Sequence, residues 1–241
     1  MAADGTISRK ASAGPLGVAL ASARANALPT AVLWAAGAAT VLAWYFVPSA
    51  QAVFRPIARF HESCGLFATF VNRIVLCGLL PGAFLVAVKS LRPRRLWATI
   101  FANCIWVVVW GMIADGFFAL QARVFGHGAD FATLAAKVAV DKCIWSGCLT
   151  VPANSVFFFW EGRDFSLARV RAEWPRSYWR DMYLPVLLSD WMLWIPVQFM
   201  VYQFPLELQN QLVGLAGALW TLLGLAVGVR INRTSKDPSP R

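Results

Sequence analysis

Charge is scarce in this chain. Only 14% of its 241 residues are Asp, Glu, Lys or Arg, against about 25% in an ordinary soluble domain. That excludes a soluble globular reading. Histidine is scarcer still. His61 and His127 lie in different loops, so no histidine pair is placed for metal binding or acid–base work. The five cysteines (Cys64, Cys77, Cys104, Cys143 and Cys148) include no C-x-x-C pair and fall mostly in apolar runs. They are expected to be small buried thiols rather than a zinc site or a disulfide framework. Missing too are a glycine-rich phosphate loop after a strand and a nucleophile elbow. The sequence therefore gives no sign of an enzyme, a bound cofactor or a bound metal.

What fills the space is apolar. Hydrophobic residues make up 59% of the chain, mean hydropathy is +0.57, and there are 12 tryptophans, a residue that favours membrane interfaces. Six segments approach the ~20 residues a helix needs to cross ~30 Å of hydrocarbon: about 28–47, 64–88, 96–120, 139–160, 183–204 and 207–229. None alternates in polarity as a barrel strand would. The expected fold is an all-α polytopic bundle of about six membrane-length helices. Its expected parts are a basic small-residue segment 1–27, an added N-terminal helix with an amphipathic linker 28–63, a bundle 64–229 and a basic tail 230–241.

The net charge of +10 fits a topology signal and anionic lipid headgroups, not nucleic acid. If six spans alternate, one side receives Arg9, Lys10, Arg24, Lys89, Arg92, Arg94, Arg95, Arg163, Arg169, Arg171, Arg176, Arg180, Arg230, Arg233, Lys236 and Arg241. The other receives only Arg55, Arg59, Arg123 and Lys137. Such a bias places both termini on the cytosolic or matrix side.

Polar residues inside the spans are the candidate functional positions, because burying them in lipid is costly. They are Arg73, Asp115, Asp141, Lys142, Asp190 and Gln198. Asp141 and Lys142 are read at a span entrance, paired or reaching the interface; Arg73 and Asp190 lie deeper. The stretch 181–205 also carries Pro185, Pro196 and Pro205, whose freed backbone groups need neighbouring helices or water. Between two spans, 163–182 alternates arginine with Phe165, Leu167, Val170, Trp174 and Tyr178. This suits an interfacial helix broken in two at Pro175, with Arg163, Arg169, Arg171, Arg176 and Arg180 facing lipid headgroups. Gly78 and Gly82, and Gly224 and Gly228, are small-x-x-x-small pairs expected to pack helices within the chain.

KVAVDKCIWSGCLTVP at 137–152 and PVLLSDWMLWIPVQFMVYQFP at 185–205, followed by Trp220, resemble the peroxisomal-membrane-protein-22 family, also called the Mpv-seventeen family. Its members are small multi-span proteins of organellar membranes. Lys137, Asp141 and Pro152 match its first motif, with Lys142 in place of a glutamine. Pro185, Leu187, Leu188, Trp191, Trp194, Gln198, Pro205 and Trp220 match its second, with Asp190 in place of an asparagine, Ile195 in place of a proline and Gln209 in place of an arginine. The stretch from Gly111 to Gln121 looks like a degraded further motif. The resemblance implies an organellar membrane and a non-selective channel for small metabolites.

The matches that survive are tryptophan, proline and leucine, which build a scaffold. The polar residues that would line a pore are the ones replaced. The expected function is a non-catalytic accessory subunit of a large organellar membrane complex, with other membrane subunits and anionic lipids as partners. The alternative is a metabolite or ion channel. The basic, Ala- and Ser-rich N-terminus, in which Asp4 is atypical, favours the mitochondrial inner membrane with both termini in the matrix. Peroxisome and plastid are the alternatives.

Overall fold

Proline sets the local geometry of the spans. The computed structural model describes residues 26–236 and isolated positions between 14 and 24, with the side chains of residues 224 and 226–236 outside the description. From residue 27 onward the described residues form eight helices and no strand. They are α1 (Ala27–Phe46), α2 (Pro48–Cys64), α3 (Leu66–Ala87), α4 (Leu96–Phe125), α5 (Phe131–Glu161), α6 (Leu167–Glu173), α7 (Trp179–Val201) and α8 (Leu206–Lys236). Three stretches are π-helical: Arg73–Leu79 in α3, Asp141–Thr150 in α5 and Trp179–Tyr183 in α7. Each ends two residues before a proline: Pro81, Pro152 and Pro185. A proline ring clashes with the carbonyl four residues earlier and has no N–H to offer it. Widening the preceding turns to i→i+5 bonding relieves the clash without breaking the helix. Pro56 and Pro196 sit within α-helix without such a segment.

The all-α architecture expected from the sequence is present. α1, α3, α4, α5 and α7 are long and apolar enough to cross a membrane. The sixth expected span, 207–229, lies within α8, and residues 224 and 226–229, among them Gly224 and Gly228, fall outside the described side chains. The expected segment 1–27 falls largely outside the described residues; of the expected tail 230–241, residues 230–236 continue α8 and 237–241 lie outside the description. Pro175 separates α6 from α7, so the loop after α5 is broken there as its sequence suggests. α2, with Pro48 in its first turn and no buried residue, is the amphipathic linker.

Three local expectations need correction. α5 begins at Phe131, not near 139, because the Asp130 carboxylate accepts a 3.0 Å bond from the Thr133 N–H and caps the helix. Lys137 is therefore a buried helical residue and not a loop cation, and Asp141 and Lys142 lie deep within a helix, not at its mouth. The polar pair Asn72 and Arg73 is expected to break the span at 64–88, but α3 runs through both, α-helical at Asn72 and π-helical from Arg73. Cys64, Cys143 and Cys148 are exposed, leaving Cys104 as the buried cysteine. Apolar surface in a membrane bundle can face lipid as readily as protein, so hydropathy does not report burial there.

The described chain divides into two compact units, one built on Val138–Pro196 and one on Pro29–Lys137 with the residues from Val197 onward. In the larger unit α3 packs against α4 through small residues. A Cβ added at Gly78 would lie 2.7 Å from the Cys104 sulfur, and one at Gly82 would lie 3.0 Å from Ile100. These glycines make the close intramolecular contact expected of them. α8 lies against α2, α3 and α4, and Trp44, Phe54 and Phe204 cluster with ring centroids 5.3–6.1 Å apart. In the smaller unit an aromatic series ties the end of α5 to the start of α7. Phe159 meets Trp174 at 5.4 Å, Trp174 stacks on Tyr178 at 5.9 Å, and the Tyr183 hydroxyl donates to the Gly147 carbonyl at 2.7 Å.

Candidate functional site: two buried charge networks

A cation inside an apolar helix must be neutralised or hydrated. In the larger unit that cation is Arg73, at the start of the α3 π-segment and buried. Its Nη2 donates to the side-chain oxygen of Asn210 and, at 3.2 Å, to the Asn210 carbonyl. Asn210, on α8 and 1% exposed, turns its Nδ2 the other way. It donates at 2.9 Å to the Gly111 carbonyl and at 2.9 Å to the Asp115 carboxylate, both on α4. The other Asp115 oxygen accepts a 3.0 Å bond from His61 Nε2, on the amphipathic α2. One hydrogen-bonded chain thus joins four helices. Gly111 makes it possible, since a Cβ there would sit 2.7 Å from Arg73 Nε. Beside it, Gln211 donates to the Thr69 hydroxyl at 3.3 Å.

In the smaller unit the cation is Lys142 of the α5 π-segment. Its ammonium lies 2.8 Å from Asp141 and 3.7 Å from Asp190 of α7, and it donates to the Ser146 hydroxyl at 3.0 Å. Trp191 Nε1 donates to the Lys142 carbonyl at 3.2 Å, so the adjacent Asp190 and Trp191 both hold the same residue. Back in the larger unit, Lys137 stands 5.8 Å from the Tyr202 ring centroid, and Gln121 donates to the Tyr202 hydroxyl at 2.7 Å.

Gln198 is buried; Trp194 and Trp220 are half-buried; Pro205 is exposed in the turn that leads into α8. Arg163 pairs with Glu173 at 3.2 Å and lies over the Phe159 ring, and Arg169 pairs with Asp164 at 2.7 Å. Arg171, Arg176 and Arg180 are exposed.

Sequence reasoning missed Asn210. Gln209, Asn210 and Gln211 are all buried, and three successive amides in an apolar helix were a readable signal. It also missed a repetition. Val71-Asn72-Arg73 is followed by Cys77-Gly78 and then Pro81; Val140-Asp141-Lys142 is followed by Ser146-Gly147 and then Pro152. In both copies the cation lies at the start of a π-segment, first in one and second in the other, and Lys142 donates to the hydroxyl four residues on. The pattern accompanies two of the three π-segments, whereas the proline two residues beyond accompanies all three.

Chemically, both networks are ion pairs supported by amides and hydroxyls. No activated nucleophile stands beside a base in either, and no group of His, Cys, Asp or Glu among the described residues could hold a metal ion. No family model, curated protein or solved structure matches the chain. Fold and networks together define a polytopic helical membrane protein.

The one network member outside the spans titrates usefully. The hydrogen bond and charge of Asp115, helped by Glu207 and Glu62, outweigh burial and raise His61 above its ordinary value. A group whose folded value is raised contributes stability fully below the unfolded value, near 6.5, and loses it as pH rises through the folded value. The thermal midpoint in detergent should therefore be higher at pH about 5.5 than at about 8.5. His61→Gln should flatten that difference; an equal slope in the variant would remove His61 from the explanation.

Proposed function

We propose that this protein is a structural accessory subunit of a larger membrane assembly, without catalysis of its own. The carrying observation is that Arg73, Asp115, Asp141, Lys142 and Asp190 are all engaged within the chain. Arg73 and Asp115 meet through Asn210, and Lys142 sits between Asp141 and Asp190. A pore would hold such groups toward water, whereas these are committed to joining helices. Two recesses support the same reading. One, of about 70 Å³, is lined by residues such as Leu33, Val197 and Leu215, and a groove of about 460 Å³ is lined by Phe70, Trp97, Phe101 and neighbours. Both are apolar and suit lipid or another helix, not a hydrated solute.

The family resemblance at 137–152 and 185–205 supports an organellar membrane, and the basic N-terminal composition supports the mitochondrial inner membrane with both termini in the matrix. Peroxisome and plastid are the competing sites. The competing function is the family-type channel, and the π-segments carrying Arg73 and Lys142 favour it, since such segments often mark functional positions.

Purification in a mild detergent, followed by sizing and mass spectrometry of co-migrating chains, separates the two. A stable large complex containing this chain is the expected result. A lone monomer or small homo-oligomer that conducts ions in a planar bilayer, with conductance altered by Asp190→Asn, would overturn the scaffold reading.

A further inference from the structure

The structure sorts the five arginines from the end of α5 to the first turn of α7 into two kinds. Arg163 and Arg169 are occupied within the segment, by Glu173 and Asp164. Arg171, Arg176 and Arg180 make no side-chain ion pair or hydrogen bond among the described residues, and all three are exposed. They do not stand on a polar surface. Leu167, Trp174 and Trp179 are 66%, 41% and 63% exposed beside them. The aromatic series of Trp174, Tyr178, Trp179 and Tyr183 holds this surface rigid, with successive rings 4.9–5.9 Å apart. Tyr178 is anchored to the preceding span through a 3.3 Å bond from its hydroxyl to the Pro152 carbonyl, nine residues before that helix ends.

We propose that Arg171, Arg176 and Arg180, with Trp174 and Trp179, form a binding site for anionic phospholipid headgroups. The segment leaves one membrane-length helix at Glu161 and enters another at Trp179, so it cannot stray far from the bilayer surface. Exposed indole and leucine side chains at that level dissolve in the acyl boundary, and tryptophan is enriched there for that reason. Free guanidinium groups between them then face the phosphates. Guanidinium meets phosphate through paired N–H donors, and its weaker hydration makes the transfer less costly than for lysine. An acidic segment of a neighbouring protein would satisfy the charges equally well, but it would not call for bare apolar side chains between them at the height of the lipid headgroups. The paired arginines act otherwise. Arg163, over the Phe159 ring at 3.4 Å, and Arg169 fix the turn that presents the site.

The test uses the purified full chain in non-ionic detergent, titrated with phosphatidylglycerol or phosphatidylcholine and followed by native mass spectrometry. Wild type should bind phosphatidylglycerol in preference. The triple variant Arg171→Gln, Arg176→Gln, Arg180→Gln should lose affinity for it by on the order of tenfold or more, since each basic residue at such a surface supplies a several-fold factor. Phosphatidylcholine binding should stay unchanged. The triple Arg→Lys variant should recover part of the loss. The double variant Arg163→Gln, Arg169→Gln, which also removes positive charge, should lose much less. Equal losses per charge in the two sets would reduce the effect to net charge and overturn the site. Unchanged phosphatidylglycerol binding in the triple variant would overturn it as well, and loss of a co-purifying acidic protein in that case would assign the arginines to a protein partner. None of these readouts depends on whether the chain is a scaffold or a channel.

Discussion

Asn210→Leu should be among the most damaging single substitutions in the chain. Leucine is close in volume and suits an apolar helix, so hydropathy predicts a neutral or favourable change. The structure predicts the reverse. Asn210 is the only side chain that bonds both Arg73 and Asp115 among the described contacts, and it also satisfies the Gly111 carbonyl. Removing it takes the side-chain acceptor from a buried guanidinium, whose bond to the backbone carbonyl of the same residue remains, and takes a donor from Asp115. Breaking a buried charged network from one side costs about 3–5 kcal/mol, enough to consume much of a typical domain's stability of about 5–15 kcal/mol. Thermal unfolding in detergent, read by size-exclusion fluorescence, should show a large drop in midpoint. The double variant Arg73→Met, Asn210→Leu should fall less than the two single effects added together, because the orphaned cation is gone. Additive losses would show that the two residues do not act through one another.

Lys142→Met should have a comparable effect for a different reason. Lys142 lies between two carboxylates, 2.8 Å from Asp141 and 3.7 Å from Asp190, with its side chain 7% exposed. Its removal leaves two like charges near one another in an apolar helix pair. One of them must take up a proton or the helices must part. The expected cost is again about 3–5 kcal/mol, measured as the fall in thermal midpoint. Adding Asp190→Leu should return part of it. If Lys142→Met alone leaves the midpoint unchanged, the ion pair does not hold α5 to α7, and the structural reading of this network fails.

Much of the fold was readable because the bilayer imposes length and hydropathy on any helix that crosses it. The spans α1, α3, α4, α5 and α7, the break at Pro175 and the amphipathic α2 follow from that constraint and from proline's missing N–H. The glycine contacts of Gly78 and Gly82 were readable too, since small residues are what permit helices to approach closely. The N-terminus of α5 was missed because Lys137 marked 131–140 as a loop, whereas the Asp130 cap outweighed the cation.

The sites were less legible. Arg73, Asp115, Asp141, Lys142 and Asp190 stood out in the sequence, because a charge in an apolar helix is conspicuous whatever surrounds it. Their pairing did not. Arg73 and Asn210 are 137 positions apart, and Asp115 and His61 are 54 apart. No local rule links residues at such separations, and asparagine carries no charge to attract notice. Composition and residue order were enough to establish a helical membrane protein and to mark which of its residues are costly to bury. Which partners meet that cost depends on the packed bundle, because helix packing, not spacing along the chain, brings them within hydrogen-bond reach.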